Sequence, residues 1–137
     1  MTPVAETIPA HRDPEVVDLV ERTLDELSAR CPTLIVAVVL TDDGFEVCRT
    51  AGIREGDDHR LSSMGSTLLA LGEAVARELR LGEASHLVVS GTRASMLVRR
   101  IGDLPFALVA VLAPLRDDDL RVTQESSARL AASLQAR

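Results

Sequence analysis

Hydrophobic and polar positions switch along this chain between a helical and a strand period, and their order predicts an α+β domain. Leu34-Ile35-Val36-Ala37-Val38-Val39-Leu40 carries no polar residue on either alternate face. Such a run predicts a strand whose sheet is covered on both sides. Thr41-Asp42-Asp43-Gly44 supplies a turn, because Gly tolerates positive φ and Asp can bond its own backbone. Phe45 to Arg49 then alternates apolar and polar residues and predicts a second, more exposed strand, closing a central hairpin. Ahead of the hairpin, Val16, Leu19, Val20, Leu24 and Leu27 recur at helical spacing behind Asp13 as N-cap and Pro14 at the first helical position, until Pro32 ends the helix.

A second helix is predicted from Asp57 or Asp58 to a C′ glycine at Gly82. Its stripe is Leu61, Met64, Gly65, Leu68, Gly72, Val75, Ala76 and Leu79, flanked by Leu69 and Leu71, with Ser62, Ser66, Glu73, Arg77 and Arg80 opposite. Two glycines inside a helix cost about 1 kcal/mol each relative to Ala. Seven residues apart on the apolar face, they imply close approach of another surface, either this chain's own sheet or a second subunit. Ser85–Ser90 and Ala94–Ile101 predict a second hairpin, and Phe106–Ala113 a strand apolar on both faces. Asp117-Asp118-Asp119 opens a last helix, whose inner face is Leu120, Ser127, Leu130, Ala131 and Leu134. The order is α-β-β-α-β-β-β-α: one five-stranded antiparallel sheet, helix 2 on one face, helices 1 and 3 on the other. Residues 1–13 read as a flexible tail, 14–137 as a single domain, and Gly52–Asp58 as a polar loop.

Composition removes several function classes. The 137 residues include 46% hydrophobic ones but only two aromatics, Phe45 and Phe106, so the core is aliphatic. Every basic residue is Arg, and Lys, Tyr, Trp and Asn are absent. Without Lys there is neither a P-loop lysine nor a Schiff base. A net charge of −6 and the lack of Tyr and Trp argue against nucleic-acid binding. Cys31 and Cys48 are too few and too far apart for a metal knuckle or a disulfide framework and read as buried hydrophobes in a reducing compartment. Neither a secretory leader nor a spanning segment is apparent, which points to the cytoplasm and to no membrane insertion.

With these elements in this order, the chain resembles the Roadblock/LC7 family of small dimeric regulators and scaffolds. The likeness runs from Pro14 to about Leu134. It is carried by the strand entering Thr41-Asp42-Asp43-Gly44, the helix HRLSSMGSTLLALGEAVAREL, the strand LPFALVAVLAP and the Leu-Ala-rich terminal helix. The resemblance implies a homodimer in which helix 2 packs on its mate through Leu61, Met64, Gly65, Leu68, Gly72 and Val75. The third strands would pair edge to edge through His86, Leu87, Val88, Val89 and Ser90. It further implies a bacterial partner or regulator of a Ras-like small GTPase, in a signalling system that can include a sensor kinase. Relatives often carry Gly after the Asp-Leu pair opening the last helix, whereas Arg121 stands here.

Chemistry is sparse. Asp57-Asp58-His59 and Asp117-Asp118-Asp119 point in different directions from helix starts and read as capping and dipole compensation, and Asp42-Asp43 as turn chemistry. His59 with Ser62 or Ser63, or Cys48 with His86, would be nucleophile–base pairs without any oxyanion device. Arg99 and Arg100 face opposite sides of their strand; either would be an arginine finger or, more commonly, pair with a neighbouring carboxylate. The expectation is therefore a non-catalytic, cofactor-free binding module acting by conformational bias on its partner. The alternative is a PAS- or GAF-like sensory module, which needs a cavity with convergent polar groups.

Overall fold

The computed structural model describes residues 8–50 and 58–137. A short 3-10 turn, Ala10–Arg12, precedes α1 (Pro14–Arg30), β1 (Leu34–Thr41), β2 (Glu46–Arg49), α2 (Asp58–Glu78), β3 (Leu87–Ser90), β4 (Ser95–Arg100), β5 (Phe106–Leu112) and α3 (Asp117–Gln135). All neighbouring strands are antiparallel, in the order β2-β1-β5-β4-β3. The middle strand is thus β5, and the first hairpin reaches one edge through β2. None of the described helices is long and apolar enough to cross a membrane.

Both sheet faces are apolar because β1, β4 and β5 alternate their side chains between two cores. Ala37, Val39, Leu97, Leu108 and Ala110 join Val16, Val20, Leu24 and Leu27 of α1 and Val122, Leu130 and Leu134 of α3. Val36, Val38, Leu40, Val98 and Val109 pack instead under α2, around Leu69. Two helices cover one face and α2 alone covers the other, as the residue pattern implies.

Local chemistry sets the ends of these elements. Asp13 accepts the Glu15 amide at 3.0 Å as N-cap of α1. Of the expected tail, residues 1–7 lie outside the described residues, while 8–13 lead through the 3-10 turn into α1. There the His11 ring stacks on Phe45 with centroids 4.7 Å apart. α2 stops four residues before Gly82. The Leu81 amide donates to the Ala76 carbonyl at 2.8 Å and the Arg80 amide to that of Arg77 at 3.2 Å. This is the Schellman pattern, and its left-handed residue is Arg80 (φ 54) rather than the glycine. Gly82 (φ 89) turns the chain two residues later. At α3, Asp119 accepts the Arg116 amide at 3.0 Å. Arg121 sits inside a regular helix, paired with Asp118 and with Glu125.

The two helix glycines serve this chain's own sheet. A Cβ on Gly65 would lie 2.4 Å from Val109 Cγ2, and one on Gly72 2.4 Å from Leu87 Cδ1. Val109 is fully buried in the middle strand and β-branched, so it cannot yield, whereas Leu87 is half-buried on an edge strand and can rotate. Gly65→Ala is therefore expected to lower stability by about 1 kcal/mol net, overpacking outweighing the gain in helix propensity. Gly72→Ala should be close to neutral. Urea midpoints read both; a rise of equal size in the two variants would mean that neither contact is tight.

Candidate functional site

α2 is apolar on two sides, and only one of them is used. Ser62, Gly65, Leu69, Gly72 and Ala76 follow the helical repeat against the sheet. A second repeat, Met64, Leu68, Leu71, Val75 and Leu79, runs along the outside. Met64 and Leu71 are each 57% exposed, Val75 42% and Leu79 64%. Leu61 and Leu68 are half-buried and pack on the margin of the core beneath. The helix crosses the sheet with Ser66 beside Gly44, Gly65 over β5 and Gly72 over β3, so the outer stripe ends next to the open edge of β3. On that edge Val89, two residues from Leu87, shares the α2 side and is 51% exposed. An apolar stripe continuous with an unpaired strand edge is the most evident interaction surface among the described residues.

The predicted contact residues divide accordingly. Met64 and Val75 stand on the free surface, Leu61 and Leu68 at its margin, and Val88, Val89 and Ser90 on the strand edge. Gly65, Gly72 and Leu87 are turned inward, so of the two surfaces the sequence allows for the glycines, the chain's own sheet is one they approach. His86 precedes the strand instead of joining it. Its Nδ1 lies 2.9 Å from Ser85 Oγ, and burial, assisted by the charge of Arg99, lowers its pKa. Leu71 and Leu79 are not among the predicted contacts, although the 64-68-71-75-79 spacing of apolar residues carries them.

Arg100 settles one of the open alternatives. Its Nε and Nη2 donate to the two carboxylate oxygens of Glu73 on α2, 2.9 Å each. Its Nη1 donates to Asp42 Oδ1 at 2.9 Å and to the Leu104 carbonyl at 3.0 Å. One guanidinium thereby ties the helix to the β1–β2 and β4–β5 turns, and it is not free to act as a finger. Asp42 is accordingly more than turn chemistry. The Arg100 fork holds the Glu73 carboxyl below its usual range, and Glu73 in turn raises the Arg100 pKa. Arg99 faces the other way, as predicted, and is buried.

Of the remaining candidate pairs, Cys48 and His86 stay apart. Cys48 lies on β2 and His86 beside β3, at opposite edges of the sheet. Ser62 is buried against the sheet, while Asp57 and the side chain of His59 fall outside the described residues. Cys31 is buried, and its thiol donates to Asp119 Oδ1 at 3.4 Å. Burial raises the pKa of Cys31 and of Cys48 alike, which disfavours the thiolate at both. Among the described residues no group of three or more His, Cys, Asp or Glu is placed to hold a metal ion.

The family model of the Roadblock/LC7 domain matches residues 20–113. Among solved structures, the chain is similar to Myxococcus xanthus MglB, with a TM-score of 0.80 and 14% identity over 90% of this chain and 93% of that one. It is similar to the gliding protein MglB from Thermus thermophilus at a TM-score of 0.77 and 16% identity, each chain covered in full (100%). It is also similar to a Roadblock/LC7 domain from Streptomyces avermitilis at 0.70 and 20%, over 84% of this chain and 93% of that one. No curated protein sequence matches it.

The Glu73–Arg100 pair has a pH signature. A depressed carboxylate pKa stabilises the fold above the unfolded value, about 4.3, and that contribution disappears as pH falls through the folded value. The stability difference between the natural protein and Glu73→Gln should therefore be constant above about pH 5 and shrink steadily between about pH 5 and pH 3. Urea unfolding across that range measures it; a difference independent of pH would show that the pair is not formed.

Proposed function

The chain belongs to the Roadblock/LC7 family, and from that premise we propose that it is a non-catalytic, homodimeric regulator or scaffold that docks a Ras-like small GTPase in a bacterial cytoplasmic signalling system. The observation that carries this reading is the outer apolar stripe of α2, continuous with the open edge of β3. Leu71, Val75 and Leu79 cover no core of their own, and a row of such side chains in water favours association. A second copy related by a two-fold axis presents the same stripe and the same edge, so helix meets helix and strand meets strand in one self-complementary contact. Pairing β3 with its mate would satisfy the free backbone groups of both edges and join two five-stranded sheets into one of ten strands.

Such a dimer offers a broad surface, and among the described residues no nucleophile–base pair is brought together on it. Action on a GTPase then takes the form of preference for one nucleotide state, which shifts the partner's population toward that state. The partner's own loops perform any phosphoryl chemistry. A signalling complex that includes a sensor kinase would place the same surface in a scaffold.

Two measurements test the two halves of the proposal. Leu71→Asp and Val75→Asp remove exposed side chains, so each should keep its helix content by circular dichroism while light scattering shows the mass fall from dimer to monomer. An unchanged dimer would place the interface elsewhere. Immobilised protein incubated with lysate of its host cell, with GDP or with a non-hydrolysable GTP analogue, should recover a small GTPase in one nucleotide state only. Recovery of none in either state, with the dimer intact, would remove the GTPase from the proposal.

A further inference from the structure

Helices α1 and α3 leave part of their side of the sheet open. Leu97 of β4 packs in their core and Val98 in the core under α2, so strand alternation turns Arg99 to the α1/α3 side. The pairs Val88↔Leu97 and Leu87↔Val98 put Val88 on that same side, and one step further along the register His86 stands opposite Arg99. Val88 is 36% exposed, and His86 and Ser90 are exposed with it. Pairing of the β3 edge with another strand would engage backbone groups and leave these side chains uncovered.

Two cationic side chains meet on this strip without a carboxylate. Arg99 is only 7% exposed, and among the described residues its side chain makes no hydrogen bond or ion pair. Its fully enclosed nitrogen is Nε, and the two Nη groups are the ones that reach the surface. Burial alone lowers the Arg99 pKa, and burial together with the charge of Arg99 lowers that of His86. The charges of α3 are committed elsewhere: Arg121 holds Asp118 and Glu125, Glu125 also holds Arg30 of α1, and Arg129 holds Glu26 of α1. Across the sheet, Arg100 holds Glu73 and Asp42, and Glu83 lines the cleft beside α2.

A guanidinium withdrawn from water without a counter-charge is costly, and an anion supplied from outside offsets that cost. We propose that this strip, Arg99 with His86 and Val88, is a docking surface for an acidic segment of a partner protein, whose carboxylate meets the Arg99 Nη pair end-on. The two Nη donors offer a bidentate grip that does not need Nε. The exposed Val88 seats an apolar neighbour of the acidic residue. An open strip of this kind suits a side chain carried on a protein surface better than a free small anion, which needs enclosure. The surface belongs to one chain, lies on the other side of the sheet from the outer stripe of α2, and is separate from the dimer contact proposed above.

The probe is the capped peptide acetyl-Leu-Glu-Glu-Leu-amide, with acetyl-Leu-Gln-Gln-Leu-amide as its neutral counterpart. NMR follows the His86 ring and the backbone amides of Leu87 to Ser90 at constant ionic strength. The Glu peptide should shift these signals saturably, and the Gln peptide should need a concentration about tenfold or more higher. A carboxylate between the two cations offsets their repulsion, so the Glu peptide should also raise the His86 pKa toward the ordinary histidine value. By linkage it then binds more tightly at about pH 6 than at about pH 8. Arg99→Met should lose the preference for Glu over Gln, and Arg99→Lys, which keeps the charge without the fork, should lie between. If Arg99→Met does not fold, the comparison rests on Arg99→Lys and on His86→Gln, in which the pH dependence should vanish. Three results would overturn the proposal: no saturable shift in the folded natural protein, equal affinity for the two peptides, or binding unaltered in Arg99→Lys. Leu71→Asp should bind the peptide as the natural protein does, so failure here leaves the dimer and GTPase reading standing, and the reverse.

Discussion

Strands β1 and β5 are apolar on both faces, and everything above and below them answers to that. Each buried face removes aliphatic surface from water at roughly 25 cal/mol per Å², but only if something lies over it. On one side α1 and α3 share the task. On the other a single helix has to seat itself across β5, β4 and β3. α2 manages this by lying close, with Gly65 on Val109 and Gly72 on Leu87. A helix set that low buries one stripe deeply and leaves its opposite side raised above the sheet. Because that opposite side is itself apolar, covering the second face of the sheet leaves an apolar stripe exposed on the outside of the helix.

Two corner fastenings keep the layers in register, and they use the same chemistry on opposite faces. On the α2 side Arg100 reaches from β4 to Glu73 and to both neighbouring turns. On the other side the Asp119 carboxylate, buried at the start of α3, accepts from the Arg116 amide, Thr33 and Cys31. It thereby ties the start of α3 to the link between α1 and β1. In each case one charged group is satisfied by several short-range partners from distant parts of the chain. Such groups specify an arrangement, since any shift of the helix leaves a buried charge without its bonds.

These fastenings mark the boundary of what the residue pattern discloses. The order of elements, the sheet with one helix on one face and two on the other, and the caps at Asp13 and Asp117–Asp119 follow from periodicity and turn residues, which are local properties. The partners of Arg100 are 58 and 27 positions away along the chain, so periodicity indicates only that a carboxylate would be found. The roles of the glycines are ambiguous for a similar reason: a small residue on an apolar face says that something approaches, not what. The end of α2 falls short of its expected place because the left-handed residue that closes it is Arg80, although Gly82 is the residue type that adopts this conformation without cost. The outer stripe is visible in full, but nothing in a heptad-like spacing distinguishes the side that meets the sheet from the side that meets a partner. Strand alternation turns Arg99 away from Arg100; its lack of a counter-charge is a property of the folded surroundings alone.

The two margins of the sheet are unlike each other. β3 is short, and among the described residues no strand pairs with its outer side. β2 is bulged where Leu40 pairs with Glu46, carries a Glu46–Arg49 ion pair, and has the His11–Phe45 stack at its end. A bulge and charged side chains discourage any further strand from adding there. Growth by edge addition can therefore proceed at one margin only. When two molecules meet through it, that margin is consumed on both and nothing remains to seed a third, so the chain can be self-adhesive without being a fibre former.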